Sequence, residues 1–108
     1  MRQMAVLVLA AGLGWLPSSR AQDVAQAEAL LKKSGCMKCH SVSAKKEGPS
    51  FKDVAAKYKG KPDAQAALHK HLTSSTKIKI DGKEELHDPL KTKNDAEVKN
   101  VVAYILSR

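Results

Sequence analysis

The two cysteines of this 108-residue chain stand together in Cys36-Met37-Lys38-Cys39-His40. Two thiols three positions apart, with an imidazole directly after the second, suit haem attachment. The thiols can form thioethers with two vinyl groups, and the adjacent histidine reaches the iron from one side. Other chemistries use parts of the same pattern. A structural zinc site wants four ligands, but only two thiols exist, and His69, His71 and His87 lack the paired finger spacing. A thioredoxin-like redox pair follows a strand in a βαβ unit, and no strand pattern precedes Cys36. A simple disulfide is open to any protein outside the cytoplasm. The elements around the motif decide among these.

Residues 1–21 are laid out as a secretory signal peptide. Arg2 supplies a positive start, residues 4–16 form an uncharged apolar run of 13, and Ser19-Arg20-Ala21 puts small residues at both specificity positions of a cleavage site. A membrane span needs roughly 20 apolar residues, so the run is short for the alternative, an uncleaved anchor. The expected mature protein is residues 22–108, a single domain in the periplasm. It keeps 17 of the 19 basic residues and all 11 acidic ones, a formal charge of +6, and the aromatic residues Phe51, Tyr58 and Tyr104. That length excludes a multidomain enzyme. With few aromatics and many alanines the chain can bury only a thin core, and small domains of this kind need a staple.

The periodicity after Gln22 is helical. Asp23 can cap a helix with Val24, Ala27, Leu30 and Leu31 on one side, ended by Ser34-Gly35. A second helix fits residues 51–59, closed by Gly60. A third starts at Pro62-Asp63 and runs to Leu72 or Thr73. Asn94-Asp95-Ala96-Glu97 has the form of a capping box, followed by an amphipathic helix through Val98, Val101, Val102 and Ile105. Residues 41–50 and 73–93 resist helix, the latter holding Lys77-Ile78-Lys79-Ile80, the turn pair Asp81-Gly82, and Asp88-Pro89. Two short strands at most are expected, so the class is all-α with long loops. Loops of that length in so small a domain usually wrap something. Export, a helical plan, a thin core and long loops all agree with haem.

From Cys36-Met37-Lys38-Cys39-His40 through Gly48-Pro49-Ser50-Phe51 and Val54-Ala55-Ala56-Lys57-Tyr58-Lys59-Gly60 to Val101-Val102-Ala103-Tyr104-Ile105-Leu106, the chain resembles a class I c-type cytochrome of the small monohaem kind. The resemblance implies a class I cytochrome c fold of about four helices whose first and last members cross, wrapped around one haem c. It also implies that Cys36 and Cys39 hold the haem and His40 the iron, and that the Pro49 carbonyl orients His40, although Pro49 read alone is equally a loop-stiffening proline.

The family places a methionine opposite the proximal histidine, shortly before the last helix. Here Met1 and Met4 lie in the leader and Met37 in the attachment loop, and the matching position holds His87, in Leu86-His87-Asp88-Pro89. The expectation is bis-histidine ligation by His40 and His87, with Asp88 or a backbone carbonyl on the other ring nitrogen of His87. His71, which shares a helix side with Ala64, Ala67, Leu68 and Leu72, is an alternative ligand or a core or propionate neighbour. An open iron is a further alternative, and His69 reads as solvated. Ile78 and Ile80 can cover the haem while Lys77 and Lys79 face outward.

The functional expectation is a periplasmic one-electron carrier and not an enzyme. The rival readings are a gas-binding or sensing haem protein with a labile sixth ligand, and a cytochrome subunit docked in a larger redox enzyme. Expected partners are other redox proteins, multihaem cytochromes or a membrane quinone-linked oxidoreductase. The basic surface suits acidic partners and an anionic membrane surface, with Lys38, between the thiols, at the rim. Nucleic acid is not expected. The chain also resembles the small soluble cytochromes that accompany multihaem metal-oxidation systems of iron(II)-oxidising bacteria.

Overall fold

A computed structural model describes residues 12, 14 and 23–108, so the expected leader and its cleavage site lie outside the described residues apart from Gly12 and Gly14. Asp23 opens α1 (Val24–Lys33), its carboxylate accepting from the Gln26 N–H at 2.9 Å. Lys32 and Lys33 sit in the last turn, where the helix dipole favours positive charge. Ser34 caps the end, and Gly35 takes φ 75°, the left-handed conformation that lets the chain turn sharply out of the helix. Ala27, Leu30 and Leu31 are buried as expected, whereas Val24, in the first turn, stays exposed.

A 3-10 turn, Cys36–Lys38, follows. The loop over residues 39–50 is pinned by backbone bonds from Gly48 to Cys39 (2.8 Å) and from Phe51 to Ser41 (2.9 Å). Ser50 then caps α2 (Phe51–Tyr58), accepting from the Asp53 N–H. The next helix, α3, spans Ala64–Thr73. Asp63 is its N-cap, so Pro62 stands just outside the helix instead of in its first turn. Strands β1 (Lys77–Ile80) and β2 (Lys83–Leu86) pair antiparallel. The turn between them has positive φ at both Asp81 and Gly82, the backbone that a two-residue hairpin favours. These are the two short strands the sequence allowed.

The last helix, α4 (Asp95–Leu106), is capped by the Asn94 side chain, which accepts from the Ala96 N–H. The reciprocal half of the capping box does not form, because Glu97 instead accepts from the Thr92 hydroxyl at 3.2 Å. Along α4, Val98, Val101, Val102, Tyr104 and Ile105 are buried, and the helix packs against α1, α2 and α3. The fold is all-α apart from the hairpin. Its ends are tied by one side chain: Asn100 accepts from the Asp23 N–H and donates to the Asp23 carbonyl, both at 2.8 Å.

That double bond fixes the start of α1 on the middle of α4. Asn100→Ala should therefore lower stability by about 1–2 kcal/mol, the net worth of two hydrogen bonds at an exposed backbone whose groups water can then solvate. Guanidinium unfolding of the haem-bound protein, followed by far-UV circular dichroism, measures it.

Candidate cofactor site

Between the Cys36–Lys38 turn, residues 47–49, α2, α3 and the hairpin lies a cavity of about 800 Å³. Cys36, Cys39, His40, Pro49, Ile78, Ile80 and His87 all line it, together with His71. The volume suits a cofactor-sized ligand, since such pockets run roughly 300–1,000 Å³.

One wall is built by the attachment motif. The amides of Cys39 and His40 both donate to the Cys36 carbonyl, at 3.3 and 3.0 Å, which turns the two thiols and the imidazole towards one region. Both cysteines are free. Burial pushes the Cys36 thiol up from its ordinary value, and the Glu47 carboxylate, accepting from the Cys39 thiol at 3.3 Å, pushes Cys39 up as well. Cys36 and Cys39 would hold a haem through thioethers, each thiol adding its S–H across one vinyl group.

His40 is held on three sides. The Pro49 carbonyl lies 2.7 Å from Nδ1 and can only accept, so Nδ1 carries the ring proton and Nε2 keeps a free lone pair. Phe51 stacks on the ring, centroids 5.6 Å apart and planes 21° from parallel. Gly48 closes the third side. A Cβ there would lie 2.5 Å from Cε1 and 2.8 Å from Nδ1, so only glycine leaves room for the imidazole. The Gly-Pro pair is visible in the sequence, but the need for glycine beside a ring eight positions upstream is a tertiary fact.

Across the cavity the hairpin delivers His87, whose N–H donates to the Thr76 carbonyl at 2.7 Å. Its ring centroid is 6.2 Å from that of His40, with planes 68° apart. That separation leaves room for a metal ion that both rings would hold. The His87 Nδ1 is buried without a hydrogen-bond partner. Neither Asp88 nor a backbone carbonyl bonds it, contrary to the sequence expectation, and Asp88 acts on the ring through charge alone. Burial, reinforced by His71 and His40, pushes His87 down from the ordinary histidine value, so it stays neutral and able to donate a lone pair. These residues fit an iron porphyrin held by thioethers.

His71 packs against His87 with its ring tilted, centroids 4.0 Å apart and planes 34° apart, and shares a 3.2 Å hydrogen bond with the Thr76 hydroxyl. Burial pushes it down too. His69 faces away and is not merely solvated: its Nε2 lies 2.7 Å from Asp95. Ile78 and Ile80 are half-buried on the cavity side while Lys77 and Lys79 are exposed. Sequence reasoning gave no role to Glu85, which pairs opposite Ile78 and so shares its face of the hairpin. Lys38 is exposed, as a rim residue should be, whereas Lys46 is engaged with the Met37 carbonyl at 2.9 Å.

Residues 24–108 match the protein family described as Cytochrome c. Cytochrome c-552 of Hydrogenobacter thermophilus is 41% identical over 83 residues, covering 74% of this chain and 79% of that protein. Among solved structures, the class 1 cytochrome MtoD from Sideroxydans lithotrophicus ES-1 superposes with a TM-score of 0.77 at 47% identity, covering 81% of this chain and 97% of that one. Cytochrome c552 of Nitrosomonas europaea gives 0.58 at 32% identity, over 74% of this chain and 96% of its own.

Two outcomes follow from this geometry. Gly48→Ala should push His40 off the Pro49 carbonyl, costing about 1–3 kcal/mol by overpacking and raising the reduction potential as the imidazole loses basicity. Denaturant titration and redox titration measure the two effects. A Cys36→Ser, Cys39→Ser double variant, made without attached haem, should lose most of its helical circular dichroism. Without the haem the pocket is left to water, and the stability that a group bound only to the folded form supplies is lost.

Proposed function

Because the chain belongs to the cytochrome c family, we propose that it is a periplasmic one-electron carrier whose haem c is held by Cys36 and Cys39 and whose iron is ligated by His40 and His87. The haem supplies a ferric/ferrous couple, and the chain's residues fix its surroundings. The observation that supports the ligation is the approach of the two imidazoles, both lining the cavity, to a centroid separation of 6.2 Å. Met37, the one methionine among the described residues, packs against the helical core and does not line the cavity.

Ligation by two imidazoles has functional consequences. Methionine raises the potential of a His-ligated haem, so a second imidazole lowers it relative to His/Met members of the family. Two nitrogens also leave no vacant iron position for oxygen or peroxide, which favours electron transfer over catalysis. His87 is anchored at its backbone to Thr76, and the strap after it is fastened by Leu90 to the Leu72 carbonyl (2.8 Å) and Lys91 to the Ser34 hydroxyl (2.9 Å). A ligand held this firmly moves little when the electron arrives.

The reading places residues 1–21 as a removed signal peptide. Among the described residues no helix is long and apolar enough to cross a membrane. The excess of lysine steers the carrier towards acidic faces of larger redox proteins, in contacts that are small and short-lived. Multihaem cytochromes and a membrane quinone-linked oxidoreductase are the partner classes this reading favours.

The oxidised protein should lack the methionine-to-iron charge-transfer band. His87→Ala should turn the ferric haem high-spin or labile, while His71→Ala should leave it low-spin. Optical and magnetic circular dichroism spectra decide, and a change of spin state in His71→Ala alone would overturn the assignment.

A further inference from the structure

A ligating histidine is ordinarily held in plane by a hydrogen bond at its other ring nitrogen. His40 has such a bond, to the Pro49 carbonyl, and Phe51 lies against its face. His87 has none, because its Nδ1 is buried without a partner. Nothing polar resists rotation of this ring about its bond to a metal, so packing must set its plane. The group packed on it is His71, with ring centroids 4.0 Å apart.

We infer that His71 is a positioning residue: by packing its tilted ring against His87 it holds that ring steeply inclined to the plane of His40. The inference rests on the assignment of His40 and His87 as the axial pair. Three features make His71 fit for the role. It projects from α3, whose packing against α4 fixes its origin. Its ring is tethered by Thr76 Oγ1 at 3.2 Å. Thr76 also accepts the His87 N–H at its carbonyl, so one residue holds the ring of the positioning histidine and the backbone of the ligand. The two imidazole planes are thereby set by separate walls, Phe51 and Pro49 for one and His71 with Thr76 for the other, at 68° to each other.

The angle has an electronic reading. Each imidazole donates π density perpendicular to its own plane and raises one of the two iron d orbitals that share this symmetry. Parallel rings act on the same orbital and split the pair. Steeply crossed rings raise both and leave them nearly degenerate, which gives a ferric low-spin centre of very large magnetic anisotropy. A ring that cannot swing also keeps one geometry in both oxidation states.

Electron paramagnetic resonance of the oxidised holoprotein tests this, with near-infrared magnetic circular dichroism on the same samples to identify the ligands. The wild type should show a single low-field, highly anisotropic low-spin feature. His71→Phe, which retains a packed ring, should keep it. His71→Ala should keep the bis-imidazole charge-transfer band but lose the low-field feature to a rhombic three-line spectrum. Should His71→Ala fail to retain haem, Thr76→Val decides: a broadened or shifted feature supports the role, and an unchanged one overturns it. A rhombic wild type, or an unaltered spectrum in His71→Ala, overturns the positioning role while leaving the axial pair standing. A wild-type dichroism spectrum without the bis-imidazole band overturns both.

Discussion

A domain of this size with Phe51, Tyr58 and Tyr104 as its aromatic side chains in the helical region cannot close its interior on itself, and every element is arranged around that shortage. The helices supply one packed seam, where α4 meets α1, α2 and α3 through Leu31, Val101 and Tyr104. Beyond the seam the chain encloses a cavity comparable to a cofactor, and covalent attachment of haem c through Cys36 and Cys39 makes the missing part of the core permanent. The covalent link matters because a small fold cannot rely on its own packing to retain a loosely bound group.

The sequence shows the helices well because capping and periodicity are local. Asp23, Ser50 and Asn94 each accept from an amide at a helix start, and any chain with those residues before an apolar repeat would behave similarly. The deviations occur where a side chain had a better partner elsewhere. Glu97 leaves its capping box for Thr92, and His69 turns to Asp95 on another helix. Local pattern cannot rank a local bond against a distant one of similar strength.

The site was legible in its chemistry and less so in its support. Cys36, Cys39 and His40 stand out by their spacing, and His87, the second ligand proposed here, by occupying the place where a methionine was expected. What surrounds them depends on approach between distant segments: Gly48 against the His40 ring, Phe51 stacked on the same ring, and His71 beside His87. Periodicity placed His71 on the apolar side of its helix, but that side faces both the core and the cavity, so no pattern in one dimension could distinguish packing from function.

The two axial histidines proposed here are not chemically equivalent. His40 donates its Nδ1 proton to the Pro49 carbonyl, which pushes electron density towards the nitrogen left for the iron and makes it the stronger donor. His87 has no such acceptor, and its positive form is disfavoured by burial and by His71 and His40 nearby. A weaker second donor stabilises the ferric state less. With that ligation the potential sits below that of a His/Met haem yet above that of a pair in which both imidazoles are hydrogen-bonded, other surroundings being equal. The exchange of methionine for histidine therefore sets the direction of the shift, and the unpartnered nitrogen of His87 limits its size.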